Sequence, residues 1–178
     1  MSYPDDLVIR FAAPADSAVI HGFIHDLAAY EKLAHVCVAT EDQVRATLFG
    51  ARPAAEVVIA ELGGEPVGFA LFFQSYSTFL AKPGMYLEDL FVRPIARGKG
   101  VGSALLAALA RIAVDRTYGR FEWSVLDWNE PAIRLYASLG AVPMKDWIIN
   151  RLVGAPLASL AEKWPQPVRT MRSATQPG

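Results

Sequence analysis

The stretch between residues 85 and 116 constrains the fold more than any other part of the chain. It begins with an apolar, β-type run over residues 85–92, and Pro94 ends this run because proline cannot donate to a sheet ladder. A turn with three glycines follows at residues 97–103. After it comes an apolar helical pattern: Leu105, Leu106, Leu109, Ile112 and Ala113. The sequence therefore predicts a strand, a glycine-rich turn and a helix in direct succession.

The glycine-rich turn is typical of a phosphate site. Glycines let backbone N–H groups approach a ligand closely, and the helix N-terminus adds about half a positive charge. Arg97, Gly100 and Gly102 give the spacing Arg-x-x-Gly-x-Gly. No third glycine stands at the dinucleotide offset, and Lys99 is not followed by the Ser or Thr of a nucleotide-triphosphate loop. The spacing resembles the pyrophosphate signature of the GCN5-related N-acetyltransferase (GNAT) superfamily, although taken alone it equally fits a turn that merely starts a helix.

The composition is that of a globular protein without affinity for nucleic acid. Apolar residues make up 53% and charged residues 20% of the 178 residues, the net charge is −1 and the pI is about 6.3. Such a chain lacks the basic footprint of a nucleic-acid-binding protein. The mean hydropathy of +0.24 is high for a soluble monomer and favours a buried subunit interface. We expect one domain over residues 1–164 and a polar tail over residues 165–178.

The chain has the features of a cytoplasmic protein. Cys37 is the single cysteine, which excludes an internal disulfide and suits a reducing compartment. The N-terminal stretch contains Asp5 and Asp6 and lacks an apolar core, so we expect no signal peptide. No apolar run approaches the ~20 residues that a membrane-spanning helix needs. We therefore expect a soluble, cytoplasmic protein that does not enter a membrane.

Periodicity and turn residues divide the chain into short elements. The predicted strands lie at residues 7–11, 57–60, 67–73, 85–92, 121–126 and 147–153, with a Gly63-Gly64 hairpin turn. Helices are predicted after the N-caps Asp16, Thr40 and Asn129, and a short one over residues 157–164. Residues 74–84 lose periodicity and are predicted to form a loop. This order indicates an α+β protein in which helices cover a mixed sheet.

Tyr136 and two carboxylates are candidates for acid–base chemistry. Acetyl transfer from a thioester to an amine needs donors for the carbonyl oxygen, a proton for the thiolate and a group that takes a proton from the amine. A phenol is a suitable acid for a thiolate, and Tyr136 lies two helical turns after Asn129, on the same face. From this spacing alone, a core aromatic is the stronger interpretation. Glu88 and Asp89 are predicted to point to opposite faces of their strand, so that one faces the cleft.

No metal site is predicted. His21 and His25 have the i, i+4 spacing of a helical metal pair, but no Glu follows His21 and no third ligand is evident. We interpret the two histidines as a helix-surface pair. Cys37, two residues after His35, lacks an acid–base partner and is interpreted as unreactive.

Three blocks of sequence resemble one acetyltransferase family. Residues 86–92 are Tyr-Leu-Glu-Asp-Leu-Phe-Val, residues 97–102 form the glycine turn, and residues 128–136 are Trp-Asn-Glu-Pro-Ala-Ile-Arg-Leu-Tyr. Together with Tyr30-Glu31 they resemble the diamine (spermidine/spermine) N-acetyltransferase family, which also contains thialysine N-acetyltransferases. The third block is more specific than the glycine turn. The resemblance implies a GNAT fold, a central mixed and largely antiparallel sheet with a splayed pair of parallel strands and flanking helices.

The resemblance also implies roles for individual residues. Tyr136 would protonate the CoA thiolate, Glu88 with Glu31 would meet the amine, and the protein would be a homodimer. The acetyl-CoA site would consist of Leu90, Phe91, Val92, Arg97, Gly98, Lys99, Gly100, Val101, Gly102, Ser103, Asn129, Pro131 and Ala132. The amine site would consist of Tyr30, Glu31, Glu88, Asp89, Glu122, Trp123 and Ser124. The expected activity is N-acetylation of a small primary amine by acetyl-CoA, without a metal.

The chain departs from the polyamine-specific members of that family at two places. Those members carry an acidic residue and a tryptophan before the Glu-Asp strand, where this chain has Tyr76-Ser77-Thr78-Phe79, and Lys145 falls about where they carry a carboxylate. A polyamine would lose part of its anionic partners, so we expect a lysine- or thialysine-like amine to be preferred over spermidine, with its carboxylate paired by Lys145 or Lys82. Two alternatives stay open at this point: an acyl-CoA-binding module without turnover, and an acetyltransferase for protein lysines or N-termini.

Overall fold

A five-stranded sheet organises residues 3–164, which the computed structural model describes. The strands are β1 (Leu7–Phe11), β2 (Glu56–Leu62), β3 (Glu65–Ser77), β4 (Lys82–Val92) and β5 (Phe121–Trp123). They lie side by side in chain order. Neighbours pair antiparallel except β4 and β5, which pair in parallel. The predicted α+β class and the mixed, largely antiparallel sheet are confirmed.

Five helices accompany the sheet in the described part of the chain: α1 (Ser17–Tyr30), α2 (Glu41–Phe49), α3 (Val101–Asp115), α4 (Glu130–Ser138) and α5 (Gly154–Glu162). Thr40 begins α2 as predicted, because its hydroxyl accepts from the Gln43 N–H while the Gln43 side chain accepts from the Thr40 N–H. Asp16 precedes α1 but pairs with Arg10, at 2.8 Å, instead of capping the helix. No helix among residues 3–164 is long and apolar enough to cross a membrane.

Two apolar layers fix the position of β4. On one face of the sheet, α3 packs Leu105 and Leu109 against a cluster that includes Met85 and Leu87. On the other face, α1 packs against a cluster that includes Phe91. Met85 and Leu87 thus face one layer and Phe91 faces the other, so β4 is covered on both sides. The strand that carries the predicted site is therefore held rigidly from both faces.

The hairpin between β3 and β4 is longer than the sequence predicts. Residues 74–84 do not form a loop, because the ladder pairs Gln74 with Met85 and continues to Ser77 opposite Lys82. The connecting turn is confined to residues 78–81. Pairing with the adjacent antiparallel strand outweighs the weak preference of residues 74–84 for a loop. The periodicity of a single segment does not reveal such pairing.

The predicted last strand is absent. Residues 147–153 form no strand, and Trp147 and Ile148 are exposed. They belong to the second of two compact units, which cover residues 1–136 and 137–178. No strand among the described residues of that second unit pairs with them, and a branched run does not form a strand without a partner. The domain boundary stays a prediction, and the tail at residues 165–178 lies outside the described residues.

Candidate active site

The parallel pair at the edge of the sheet separates after a short contact. β5 pairs with β4 only from Met85 opposite Phe121 to Leu87 opposite Trp123, although the sequence predicts a strand as far as residue 126. β4 continues to Val92. In the described part of the chain, residues 88–92 therefore have no strand partner on the β5 side. Their backbone groups along this edge can pair with an extended ligand.

An extra residue in β4 places two carboxylates on one face. β3 pairs Leu71 with Asp89 and Phe72 with Leu87, so Glu88 has no residue opposite it. Such a β-bulge interrupts the alternation of side chains. Leu87 packs in the α3 layer, whereas Leu71, opposite Asp89, packs in the α1 layer. The prediction that Glu88 and Asp89 face opposite sides is wrong, because the bulge turns both towards α1.

Three carboxylates interact at this bulge. Burial, followed by repulsion from Glu88 and Glu31, raises the pKa of Asp89 from 3.8 to about 6. Glu31 directly follows α1, and burial raises its pKa as well. Glu88 is the exposed member of the cluster. A group of carboxylates that repel one another favours an arriving cation such as a substrate ammonium.

Tyr136 on α4 lies at the same site. Its ring packs edge-on against Trp123, with ring centres 5.1 Å apart, which anchors it beside the end of β5. Burial, and then its neighbours Tyr30 and Glu31, raise the pKa of its phenol above the usual 10.0. The Tyr30 hydroxyl donates to the Asn129 side chain at 3.1 Å and so connects α1 to the start of α4. The phenol therefore stays protonated near neutral pH, as a proton donor must.

The glycine turn leaves the start of α3 open. Gly98 and Gly100 have φ of 75° and 81°, a left-handed backbone that favours glycine. Gly100 precedes α3, and no side chain caps the helix, so its first N–H groups are available to an anion. The Arg97 guanidinium lies 4.7 Å from the centre of the Tyr30 ring, and its Nε donates to the Val92 carbonyl at 3.0 Å. The turn thus joins the free edge of β4 at its C-terminal end.

A match to a known sequence family explains why these features occur together. The pattern of the Acetyltransferase (GNAT) family matches residues 18–141, which include the glycine turn, the bulged strand and Tyr136. The chain belongs to this family. It is an acetyl-CoA-dependent N-acetyltransferase.

Relatives of this GNAT enzyme act on amino-acid amines. The chain is 36% identical to the L-ornithine N5-acetyltransferase of Arabidopsis thaliana, over 85% of this chain and 86% of the relative. It is also 36% identical to the thialysine N-epsilon-acetyltransferase of Sus scrofa, over 88% of this chain and 98% of the relative. Among solved structures, an integron cassette protein from the mobile metagenome of V. cholerae superposes with a TM-score of 0.76 at 26% identity, over 89% of this chain and 99% of that one. The GNAT fold is confirmed.

The residues of this GNAT enzyme fit acetyl-CoA. The uncapped start of α3 and the cations Arg97 and Lys99 suit a pyrophosphate, and the unpaired edge of β4 suits an extended amide-containing arm. A Cβ on Gly98 would meet nothing within 4 Å, whereas one on Gly100 would lie 3.4 Å from the Tyr3 ring, so the turn is open at Gly98. A cleft of about 520 Å³ lies beside the turn, lined by Tyr30, Phe91 and Arg97 among others. The individual contacts stay predictions.

Some predicted amine-site residues have other partners in the GNAT enzyme. Glu122 pairs with Arg120 at 2.7 Å, and the Ser124 hydroxyl lies 2.8 Å from that of Tyr86. Trp123 packs on Tyr136. Of the three, Trp123 is therefore the one that contacts the predicted catalytic group, and the roles of the other two stay predictions.

Two residues near the site were not predicted to belong to it. The Trp128 ring lies 6.0 Å from that of Tyr30, and the Lys32 ammonium lies 5.4 Å from the centre of the Trp128 ring. The sequence gives one indication that Lys32 lies near the site, because it directly follows the predicted site residues Tyr30 and Glu31. The contact itself joins residues almost a hundred positions apart, which no local pattern predicts.

The two histidines on α1 form a pair away from this chemistry. Their Nε2 atoms are 3.0 Å apart, and His21 Nε2 donates to the Ala39 carbonyl at 3.0 Å. Among residues 3–164, no group of three or more His, Cys, Asp or Glu side chains could hold a metal ion.

Proposed function

We propose that this enzyme transfers the acetyl group of acetyl-CoA to the side-chain amine of a small amino acid of the ornithine or lysine type. The observation that carries the proposal is the cluster of Glu31, Glu88 and Asp89 beside the unpaired edge of β4, with Tyr136 at the same site. The names of the ornithine and thialysine relatives support the same class of acceptor.

The unpaired edge of β4 holds and polarises the acyl group. Acetyl-CoA supplies a thioester whose carbonyl oxygen gains negative charge as the amine attacks. The backbone N–H groups within residues 90–92 that face away from β3, on a strand fixed from both faces, donate to that oxygen without having to reorganise. The glycine turn and the start of α3 hold the pyrophosphate and so set the position of the thioester along β4.

The carboxylates bind the amine and take its proton. Glu88, which the sequence analysis expects to meet the amine, is one candidate for the acceptor of that proton, and it is exposed at the bulge. Asp89, with a pKa of about 6, is the alternative acceptor, because a base is most effective when its pKa is near the working pH. Steady-state kinetics of Glu88→Gln and Asp89→Asn decide which of the two carboxylates is the base. The substitution that removes the base should lower kcat by a larger factor than it raises KM.

Tyr136 donates a proton to the departing thiolate. Its phenol is held against Trp123 and keeps its proton at neutral pH, because burial raises its pKa. A protein that only bound acyl-CoA would need neither this acid nor the carboxylates. The sensor interpretation and the acetylation of protein lysines or N-termini are both tested by the amine panel described next.

The acceptor preference follows from the number of carboxylates. A polyamine has several charges to pair, whereas residues 76–79 offer no acid, and Ser77 is buried with its hydroxyl accepting from the Leu80 N–H. Two lost charge-assisted pairings would cost about one to four decades in kcat/KM. We expect thiol release from acetyl-CoA to be faster with ornithine, lysine or thialysine than with spermidine or spermine at equal ionic strength. A higher kcat/KM for a polyamine would contradict the preference, and thiol release with none of these amines would contradict the proposed function.

The same enzyme is proposed to be a homodimer located in the cytoplasm. The high mean hydropathy and the exposed apolar residues near position 148 support self-association. The single cysteine suits a reducing compartment.

A further inference from the structure

We propose that Lys32 is a specificity residue that binds the carboxylate of the amino-acid acceptor, and that a cation–π contact with the Trp128 ring positions its side chain. This inference rests on the proposed function, because it concerns the acceptor of that same site. It assigns the two ends of the substrate to two oppositely charged parts of the protein. The amine meets the carboxylate cluster at the bulge, and the carboxylate meets Lys32.

The backbone at Lys32 is held in an unusual conformation. Its φ is 62°, in the left-handed region that residues other than glycine seldom adopt. Two hydrogen bonds close the end of α1 around it, from the Lys32 N–H to the Ala29 carbonyl and from the Leu33 N–H to the Ala28 carbonyl. Glycine would fit this turn without strain. A long cationic side chain at a strained position points to a role for the side chain itself.

Among the described residues, the side chain of Lys32 lies over an aromatic ring and is not paired with an acid. Its ammonium lies 5.4 Å from the centre of the Trp128 ring, and that ring packs against Tyr30. Within residues 3–164, the ion pairs are all made by arginines, and none includes Lys32. An aromatic wall fixes the direction of an ammonium while leaving its N–H donors available. Lys32 can therefore bind an anion without first breaking a salt bridge.

The surrounding charges match an ω-amino acid. Glu31, next to Lys32 in the chain, belongs to the carboxylate cluster that acts on Asp89. Negative and positive groups thus lie on consecutive residues at the end of α1. A lysine or ornithine carries an ammonium at its side-chain end and, at the other end, a carboxylate beside its α-ammonium. A diamine would instead bring a second ammonium towards Lys32, where the like charges repel each other.

Lys82, one of the two lysines that the sequence analysis considered for this role, is less suitable. Lys82 lies seven residues before Asp89 on an extended strand, which separates their backbones by about 23 Å at 3.3 Å per residue. That distance is several times the length of a lysine side chain. Lys32 is the lysine whose sequence neighbour takes part in the carboxylate cluster.

The test compares L-lysine with L-lysinamide, which has the same side-chain amine but no carboxylate, in steady-state thiol-release assays. For Lys32→Met we expect kcat/KM for L-lysine to fall roughly 10- to 100-fold, the size of one lost charge-assisted hydrogen bond, mainly through KM. The value for L-lysinamide should change less than about twofold. Lys32→Arg should restore most of the preference, because it keeps the charge on a long side chain.

Lys82→Met is the matched control, and it should keep the wild-type preference for L-lysine. Equal losses for both acceptors in Lys32→Met would mean that Lys32 only supports the structure, and would overturn the inference. An unchanged preference in Lys32→Met, or its loss in Lys82→Met instead, would overturn it as well while leaving the proposed function intact. If the wild-type enzyme acetylates neither acceptor nor any other amine of the panel, the proposed function itself fails.

Discussion

At the scale of single residues, Asp89 governs the electrostatic behaviour of the site. The bulge turns it to the same side as Glu88, and α1 brings Glu31 close to both. The folded protein therefore holds a carboxyl group that ionises near pH 6, where an unfolded chain would ionise it near 3.8. Burial and then repulsion from Glu88 and Glu31 make the ionised form of Asp89 unfavourable. A bound ammonium offsets both effects, so the same arrangement favours binding of a cation.

The first prediction concerns stability and pH. Since the folded state binds the Asp89 proton more tightly than the unfolded state, stability falls as pH rises from about 4 to above 6. Asp89→Asn cannot ionise, so we expect it to raise the free energy of unfolding at pH 8 by about 1–3 kcal/mol. The gain should vanish below pH about 4, where Asp89 is protonated in both states. Urea denaturation at several pH values measures it.

Asp5→Asn serves as the control for this measurement, because Asp5 is exposed and lies outside the cluster. It should show no comparable gain at pH 8. An Asp89→Asn protein that is no more stable than wild type at that pH would mean that the carboxylate is well solvated in the folded state.

The second prediction concerns Tyr136. Tyr136→Phe should lower kcat by about 10²- to 10⁴-fold, the usual cost of a lost general acid, and leave acetyl-CoA affinity nearly intact. Steady-state kinetics and calorimetry measure the two effects. Tyr118→Phe removes a phenol that donates to the Gln74 side chain, and it should retain activity. A loss below threefold in Tyr136→Phe would return Tyr136 to the role of a core aromatic.

At the scale of elements, the glycine turn and the bulged strand differ in how far sequence predicts them. The turn was predicted because Gly98 and Gly100 are needed at positive φ and their spacing is local. The bulge was not predicted, since it depends on which β3 residue stands opposite Glu88. The strand predicted at residues 147–153 failed for a similar reason, because branched residues form a strand only where a partner strand exists. Local conformation and the hairpin at Gly63-Gly64 can be predicted here, whereas the register of β3 on β4 cannot.

The third prediction belongs to the glycine turn. Gly100→Glu should weaken CoA binding severely, because it adds a negative charge and a Cβ in left-handed backbone where a pyrophosphate is expected. Calorimetry with CoA measures the affinity. Gly64→Glu is a matched control, since Gly64 has φ of 82° in the β2–β3 hairpin turn, outside the predicted site. Unchanged affinity in Gly100→Glu would refute the assignment of the pyrophosphate to this turn.

At the scale of the whole molecule, the second compact unit exposes a run of apolar residues. Its described residues expose Trp147, Ile148 and Ile149 to 70% or more. A contiguous patch of exposed apolar side chains is more often a site of protein–protein interaction than a surface that stays in contact with solvent. The family resemblance implied a homodimer, and a second copy of this chain is the partner that we expect.

The fourth prediction is that the protein sediments as a dimer at micromolar concentration. Ile148→Asp, which places a charge at the most exposed of these positions, should shift the population towards monomer without unfolding the sheet, because residues 1–136 contain all five strands. Val38→Asp is the control, since Val38 is also 83% exposed but lies before α2. A wild-type protein that sediments only as a monomer would contradict the prediction.

The short pairing between β4 and β5 has a consequence for the resistance of the protein to aggregation and proteolysis. An edge whose N–H and C=O groups lack partners is a template for other chains, and proteins normally cover or charge such edges. In the proposed site, the arm of the co-substrate acetyl-CoA covers this edge. Its binding stabilises the folded state by mass action, by about 2.7 kcal/mol at a hundred times the dissociation constant. We therefore expect the resistance of this enzyme to aggregation and proteolysis to increase with the concentration of acetyl-CoA. The amount of enzyme in a cell would then depend on how much acetyl-CoA the cell contains.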